Sequence, residues 1–111
     1  MALANYSNSI KSPELQAFIV ESILIYCINE SSLSGLVNKV QKILPLSYIT
    51  IKEYLFYLIN YELISYNGQT QVYTLEEGGF DLLYKIEKEK RMAKVDSEDI
   101  VIIIEQASIL K

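Results

Sequence analysis

The side chains that most often do catalytic chemistry are scarce in this sequence. It has no histidine and one cysteine, Cys27, so it lacks an imidazole base and a second thiol to complete a usual zinc site. It also lacks a glycine-rich phosphate loop. The adjacent carboxylates Glu76-Glu77 and Glu98-Asp99 are typical of helix caps or solvated charges. We therefore predict a protein that is not an enzyme and that has no catalytic residue, no metal site and no cofactor.

The single cysteine is itself more typical of a core than of a reactive site. Cys27 lies in the apolar run ILIYCI, where a thiol usually behaves as a small hydrophobic side chain. One cysteine also excludes an intramolecular disulfide. We expect Cys27 to be buried.

Contact with phosphates is the chemistry that the lysines allow. Lys39, Lys42 and Lys52 share residues 33–61 with one acidic residue, Glu53, so three positive charges against one negative leave +2. Neutralised phosphates contribute to affinity mainly through counterion release, and three lysines per chain predict weak binding unless a dimer doubles their number. The whole chain has 10 Lys and Arg against 14 Asp and Glu, a net charge of −4, and is not a basic protein.

Caps and apolar spacing predict the elements that position these side chains. Residues 1–11 are rich in Asn and Ser and should form a loose arm. Ser12 is a candidate N-cap, with Pro13 and Glu14 in the first turn of a helix. This helix is predicted to be buried on most sides, and its apolar residues are Leu15, Phe18, Ile19, Val20, Ile23, Leu24, Ile25, Tyr26 and Ile28.

Two more helices are predicted before the middle of the chain. The second is capped by Ser32 or Ser34 and ended by Pro45, with Leu36, Val37, Val40, Ile43 and Leu44 inward. The third runs from about Ser47 to Tyr61, with Ile51, Tyr54, Leu55, Leu58 and Ile59 inward. Its outward or rim positions are then Ser47, Tyr48, Ile49, Thr50, Lys52, Glu53 and Phe56.

A β-hairpin should follow the third helix. Residues 63–66 and 71–74 are β-prone, and Asn67-Gly68 between them tolerates the positive φ angles of a type I′ turn. Four residues separate the two runs, which leaves the register of the turn open.

The last third of the chain combines a charged helix with an ambiguous apolar run. Gly78-Gly79 should loosen the chain before a helix that begins with Phe80, Leu83 and Tyr84 and continues into the solvated run EKEKRMAK. The β-branched run IVIII at 100–104 fits a helix or a strand, and its continuation as EQASILK favours a helix.

Length and composition predict one domain. A chain of 111 residues that is 50% hydrophobic can bury a single core. We expect a mainly α fold of the α+β class over residues 12–94, with a flexible arm at 1–11 and a helical extension at 95–111. Without a leader-like start or about 18 unbroken apolar residues, the chain is expected to be cytoplasmic and to have no membrane contact.

From Ile23 to about Met92 the chain resembles the archaeal winged helix-turn-helix transcriptional regulators. The best match is LSYITIKEYLFYLINYELI, in which the family's pattern falls on Leu46-Ser47, Tyr54-Leu55, Leu58 and Leu63-Ile64. The resemblance continues in VYTLEEGGFDLL, where the matching positions are Tyr73, Leu75, Gly79, Leu82 and Leu83.

The chain departs from the family at three positions. Glu76 stands where Thr is usual, Glu62 where a small turn residue is usual, and Gly35 where a basic residue often opens the second helix. These departures leave the predicted fold unchanged and bear on the contacts with DNA.

The resemblance implies a DNA-binding transcriptional regulator that works as a homodimer. The third helix would meet base edges in the major groove, while lysines and the hairpin hold phosphates. The expected DNA-binding residues are Lys39, Lys42, Ser47, Tyr48, Thr50, Lys52, Phe56, Asn67, Gly68, Gln69 and Thr70. The hairpin tip is uncharged, and a plain turn explains it equally well. Relatives that pair through a long C-terminal helix imply a dimer contact from Phe80 onward, and the alternative is that residues 100–110 fold back onto their own domain.

The aromatic residues of the third helix favour a second hypothesis. Tyr48, Phe56 and Tyr57 lie at or near its outward side, where they suit a protein interface better than a groove lined with phosphates. Tyr54, Tyr61 and Tyr73 are interpreted as core packing. The alternative function is a winged-helix module that binds a protein partner in a larger assembly.

Overall fold

The computed structural model describes residues 14–103, so the predicted arm at 1–11, the Ser12 cap with Pro13, and residues 104–111 lie outside the described part. Within it, four α-helices and two small antiparallel sheets confirm the α+β class. The elements in chain order are β1 (Glu14–Gln16), α1 (Ala17–Cys27), α2 (Leu33–Ile43), α3 (Tyr48–Asn60), β2 (Ile64–Asn67), β3 (Val72–Leu75), α4 (Glu77–Ala93), a 3₁₀ turn (Ser97–Asp99) and β4 (Val101–Ile103).

The first helix begins later than its apolar pattern predicts. Residues 14–16 form a strand that pairs antiparallel with β4, with Leu15 opposite Ile102. Leu15 is only 2% exposed. Its predicted burial is confirmed, but the prediction that it lies in a helix was wrong. The cause is long-range, because the sheet hydrogen bonds come from residues more than 80 positions away.

The prediction of a helix at residues 100–104 was also wrong for the described part of this run, which ends at Ile103. Val101–Ile103 is strand β4, and the backbone N–H of Ala17 donates to the carbonyl of Ile100 at 2.9 Å. β-Branched side chains suit a pleated strand once a partner strand is available. The described part of this segment therefore lies against its own domain.

Helix α1 forms the centre of the core and packs against α2 and α4. Ile23, Leu24 and Cys27 are fully buried, as are Leu36 of α2 and Leu58 of α3. The predicted burial was wrong for four isoleucines that are exposed, namely Ile25, Ile28, Ile43 and Ile59. A stripe of apolar residues wider than the contact area leaves its edges in solvent.

Two serine caps fix where α2 and α3 begin. The Ser32 hydroxyl accepts from the backbone N–H of Gly35, and the Ser47 hydroxyl accepts from that of Thr50, each at 3.1 Å. These contacts show that Ser32, and not Ser34, is the N-cap of α2, and they confirm Ser47 as the N-cap of α3. Helix α2 ends at Ile43, two residues before Pro45, as predicted.

A Schellman turn ends α3 and aims the chain into the hairpin. The backbone N–H of Leu63 donates to the carbonyl of Leu58 and that of Glu62 to Ile59, both at 2.9 Å. Glu62 takes a left-handed φ of 61° to close this turn. Glu62 thus holds a side chain with a Cβ in a conformation that favours glycine.

The hairpin is present, but its turn is not the predicted type. Strands β2 and β3 pair Ile64 with Leu75 and Asn67 with Val72. The backbone N–H of Gln71 donates to the carbonyl of Asn67 at 2.6 Å. A type I′ turn would require positive φ angles at Asn67 and Gly68, whereas here Gln71 has the positive φ, 58°. The four-residue connection forms a longer turn because the Asn67 side chain accepts hydrogen bonds from backbone N–H groups of the turn itself.

Helix α4 begins at Glu77, three residues earlier than predicted. Gly78-Gly79 therefore belongs to its first turn and does not loosen the chain. Gly79 faces the hairpin, and Ile86, one heptad later, is buried. This rotation turns Phe80 and Tyr84 outward, to 50% and 64% exposure.

Candidate nucleic-acid interface

Helix α3 is anchored on one side and open on the other. Ile51, Leu55 and Leu58 point into the core and are at most 3% exposed. On the opposite side, Ile49 is 68% exposed, Phe56 61% and Tyr48 46%. The spacing of 7 residues from Ile49 to Phe56 places them on one face of the helix, two turns apart. The predicted outward residues thus include the most exposed apolar side chains of this helix.

These side chains enclose a shallow groove, called here the α3 groove. It has a volume of about 430 Å³ and is lined by Tyr48, Ile49, Lys52, Glu53, Phe56 and Tyr57. The Phe56 and Tyr57 rings meet edge to face, with centroids 5.7 Å apart. Three of the predicted site residues, Tyr48, Lys52 and Phe56, are brought together here.

Lys52 is held at the amino-terminal end of this groove. Its Nζ lies over the Tyr48 ring, 5.3 Å from the centroid, a distance at which an ammonium group is attracted to the ring face. The first turn of α3 contains no acidic residue. The positive end of the helix dipole and the Lys52 ammonium therefore add to each other.

Ser47 and Thr50 have a structural role at the start of the helix. Besides the cap bond, the Ser47 hydroxyl donates to Thr50 Oγ1 at 3.0 Å. Thr50 is half-buried. Both side chains were predicted to face DNA. Their hydroxyl groups bond to each other and hold the end of the helix in place.

The other two predicted lysines lie on α2 and do not line the α3 groove. Lys39 and Lys42 are both exposed. Lys39 Nζ lies 5.6 Å from the centroid of the Tyr26 ring of α1. Lys42 lies in the last turn of α2, where its charge complements the helix dipole.

The hairpin tip forms a separate polar surface. Residues 67–71 are exposed and carry no charge. Asn67 Oδ1 accepts from the backbone N–H groups of Gln69 and Thr70, at 2.8 and 3.2 Å. The Asn67 side-chain oxygen is therefore used within the turn, and a Cβ on Gly68 would meet nothing within 4 Å. The side chains of Gln69 and Thr70 remain on the open surface.

An aromatic pair in the hairpin was not predicted from the sequence as a surface feature. Tyr66 and Tyr73 face each other across β2 and β3, with ring centroids 4.8 Å apart. Burial raises the pKa of Tyr73, and the neighbouring Tyr66, Tyr48 and Cys27 add to the effect. The hairpin register is the signal that would have identified this pair, because it places the two tyrosines directly opposite each other.

An acidic cleft lies between the end of α3, strand β2 and the start of α4. It has a volume of about 750 Å³ and is lined by nine residues that include Glu62, Glu76 and Glu77. The Ser65 hydroxyl donates to Glu76 Oε2 at 2.5 Å, while Glu76 makes no side-chain cap to α4. Across residues 14–103, no cluster of three or more His, Cys, Asp or Glu side chains is arranged to hold a metal ion. The carboxylates of this cleft would repel phosphates, and the α3 groove is the better candidate interface of the two.

No family model matches the chain, and no curated protein matches it. None of the helices within residues 14–103 combines the length and the apolar character that a membrane crossing requires.

Proposed function

We propose that this chain is a DNA-binding transcriptional regulator, that its fold is a winged helix-turn-helix, and that it acts as a homodimer. The order of α1, α2, α3, hairpin and α4 supports the winged fold. Ser31 and Tyr73 support it further, because their reciprocal backbone hydrogen bonds of 3.0 and 2.7 Å attach the hairpin to the loop between α1 and α2. The hairpin is then the wing and α3 the recognition helix.

One observation carries the DNA-binding proposal. Helix α3 is fixed to the core by three buried residues, while its exposed amino-terminal half has no acidic first turn and holds Lys52 above Tyr48. A rigid helix with an uncompensated positive end suits the phosphates beside a major groove. Lys39 and Lys42 add two positive charges on the preceding helix.

The experiment is a measurement of DNA binding at two salt concentrations. Duplexes of random sequence and about 30 base pairs are long enough for two half-sites about one helical turn apart. For wild type, affinity should fall steeply between about 50 and 200 mM salt. Lys52→Ala should weaken binding and lower the salt slope by about 2 for a dimer, at about 1 per lysine.

Lys94→Ala is the matched control, because Lys94 is an exposed lysine that lies just after α4 and outside the helix face proposed for the dimer. This variant should bind like wild type. Absent or salt-independent binding by the wild-type protein would contradict the DNA-binding proposal. An equal loss of affinity in both variants would place the contact outside α3.

The homodimer proposal is supported by the exposed face of α4. Phe80, Tyr84 and Met92 are all exposed on this helix. Residues 77–84 contain two acidic and no basic residues, whereas residues 85–93 contain four basic and two acidic ones, so the halves carry −2 and +2. Two copies of α4 in antiparallel orientation would place opposite charges together.

Sedimentation analysis of wild type and Tyr84→Lys tests this contact. We expect a wild-type dimer and a monomeric variant, since a new lysine would be buried at the centre of the antiparallel pair. Ile43→Lys is the control, because Ile43 is 55% exposed on α2 and should leave the dimer intact. A wild-type monomer at micromolar concentration would contradict the proposal.

A protein-binding module is the second candidate, and the exposure of Phe56 favours it. Exposed aromatic side chains in a groove are typical anchors of protein interfaces. A protein partner that binds wild type in the absence of DNA and fails to bind Phe56→Ala would support this function. Retention of the partner by Phe56→Ala would count against it.

A further inference from the structure

We propose that the α3 groove reads the methyl groups of thymine, so that the preferred DNA has thymines in the major groove facing Ile49 and Phe56. This inference rests on the proposed DNA-binding function and specifies which bases are bound. Three features support it: the side chains that the outward face of α3 presents, the side chains that this face lacks, and the local charge.

Most of the side chains that read purines by paired hydrogen bonds are missing from this face. Arg or Lys reads guanine in this way, and Asn or Gln reads adenine. Residues 48–57, with the sequence YITIKEYLFY, contain no Arg, Asn or Gln, and their one Lys is Lys52. Lys52 and Glu53 are the charged side chains of the face, and the Lys52 ammonium lies over the Tyr48 ring, at the edge where backbone phosphates would pass.

Apolar side chains instead occupy the base-reading positions. Ile49 lies in the first turn of α3, the part of a recognition helix that meets base edges, and is the most exposed apolar residue of the groove lining at 68%. Phe56 lies two turns further along the same face. Thymine is the base that presents a methyl group in the major groove, and it is read there by apolar contact.

The local charge favours DNA over a protein as the occupant of this groove. Residues 33–61 carry three lysines and one glutamate, a net +2 in a chain of −4. The positive end of the α3 dipole, which no acidic residue offsets, adds to this field at the end where Ile49 lies. Lys52 and Glu53 offset each other within the groove lining, so the net positive charge comes from the helix end and from Lys39 and Lys42 on α2. This charge would lie beside the phosphates when the apolar groove faces a base edge.

The test compares DNA that differs only in the thymine methyl group. Duplexes are first selected by the wild-type protein from a random-sequence pool and are then copied with either thymidine or deoxyuridine triphosphate. Uracil keeps the base pairing and the phosphates of thymine but lacks its methyl group. We expect the uracil copy to bind more weakly, by about fourfold for each thymine methyl group that the protein covers.

Two substitutions locate the methyl contact. In the double variant Ile49→Ala, Phe56→Ala the ratio of thymine to uracil affinity should fall towards one, while the salt dependence of binding persists. Ile25→Ala is the matched control, because Ile25 is an exposed isoleucine on α1, and it should keep the wild-type ratio. A uracil effect that survives in the double variant would come from DNA shape and would overturn the proposal.

The remaining outcomes separate this inference from the function on which it rests. Equal wild-type binding to the thymine and uracil copies would overturn methyl reading and leave DNA binding in place. Absence of any DNA binding would overturn both, and a protein ligand that occupies the groove would then be the alternative.

Discussion

Gly79 packs directly against the backbone carbonyl of Leu63, with the Leu75 side chain beside it, and a Cβ at Gly79 would overlap both groups. This contact joins the first turn of α4 to the start of the hairpin. It also determines which face of α4 points inward, and so explains why Phe80 and Tyr84 are exposed.

Gly79→Ala should therefore destabilise the protein by about 1–3 kcal/mol, the usual cost of overpacking, despite the better helix propensity of alanine. The free energy of unfolding in urea measures the effect. Gly78→Ala is the matched control, because a Cβ there would approach neighbouring atoms no closer than 3.4 Å. A destabilisation that is equal in both variants would contradict the close packing at Gly79.

Glu62→Gly should stabilise the protein by about 0.5–1 kcal/mol. Glu62 has a φ of 61° in the Schellman turn, a conformation that costs a residue with a Cβ more than it costs glycine. Part of the gain is offset by the greater freedom of glycine in the unfolded chain. Thermal unfolding measures the change, with Glu53→Gly in the middle of α3 as a control that should lose stability. An unchanged or lower melting temperature for Glu62→Gly would contradict the prediction.

Lys90 on α4 and Glu21 on α1 form an ion pair with Nζ and Oε2 3.1 Å apart. The hydrogen bond to Glu21 raises the pKa of Lys90 above its ordinary value of 10.5. A raised pKa means that this stabilisation is fully present below about pH 10.5 and is lost as pH rises through the folded-state pKa. Lys90→Met should cost about 1 kcal/mol at neutral pH, and the difference from wild type should shrink above pH 10.5.

Arg91→Met serves as the comparison for Lys90→Met. Arg91 is more exposed, and its Nε is 4.0 Å from Glu87, so its removal should change the free energy of unfolding by less than about 0.5 kcal/mol. Urea unfolding at several pH values distinguishes the two variants. A Lys90→Met effect that is constant with pH would show that the ion pair is not its source.

Cys27 should resist thiol reagents in the folded protein. It is fully buried, and burial raises the pKa of its thiol from 9.0 to about 11. At pH 8 about one thiol in a thousand would be ionised, and only the thiolate reacts readily. Labelling with an aromatic disulfide should be slow in buffer and rapid in denaturant. Rapid labelling of the folded protein would contradict the burial of this side chain.

The candidate site could be predicted in part from sequence. Apolar spacing identified Ile51, Leu55 and Leu58 as the anchor of α3 and thereby placed Tyr48, Lys52 and Phe56 outward, because a helix with one face fixed has only one opposite face. The grouping of these three around one groove agrees with that reasoning. The position of Lys52 over the Tyr48 ring depends on the rotamers of both side chains, which spacing does not specify.

The hairpin tip shows a limit of local signals. Asn67-Gly68 marked the turn correctly, because these residues are common in turns. The type of turn was wrong, since the connection spans four residues and the positive φ falls on Gln71. Composition locates a turn, whereas the pairing of Asn67 with Val72 determines its geometry.

The sequence by itself determined the three helices before the hairpin, the hairpin itself and the burial of Cys27. It also identified Ser32 and Ser47 as candidate N-caps. These features depend on interactions between residues close in the chain, or on apolar character alone. The tertiary structure decided that residues 14–16 and 101–103 are strands, because a strand requires a partner from a distant part of the chain. It also decided the rotation of α4, which follows from the close approach of Gly79 to Leu63, a contact between elements that no local pattern encodes.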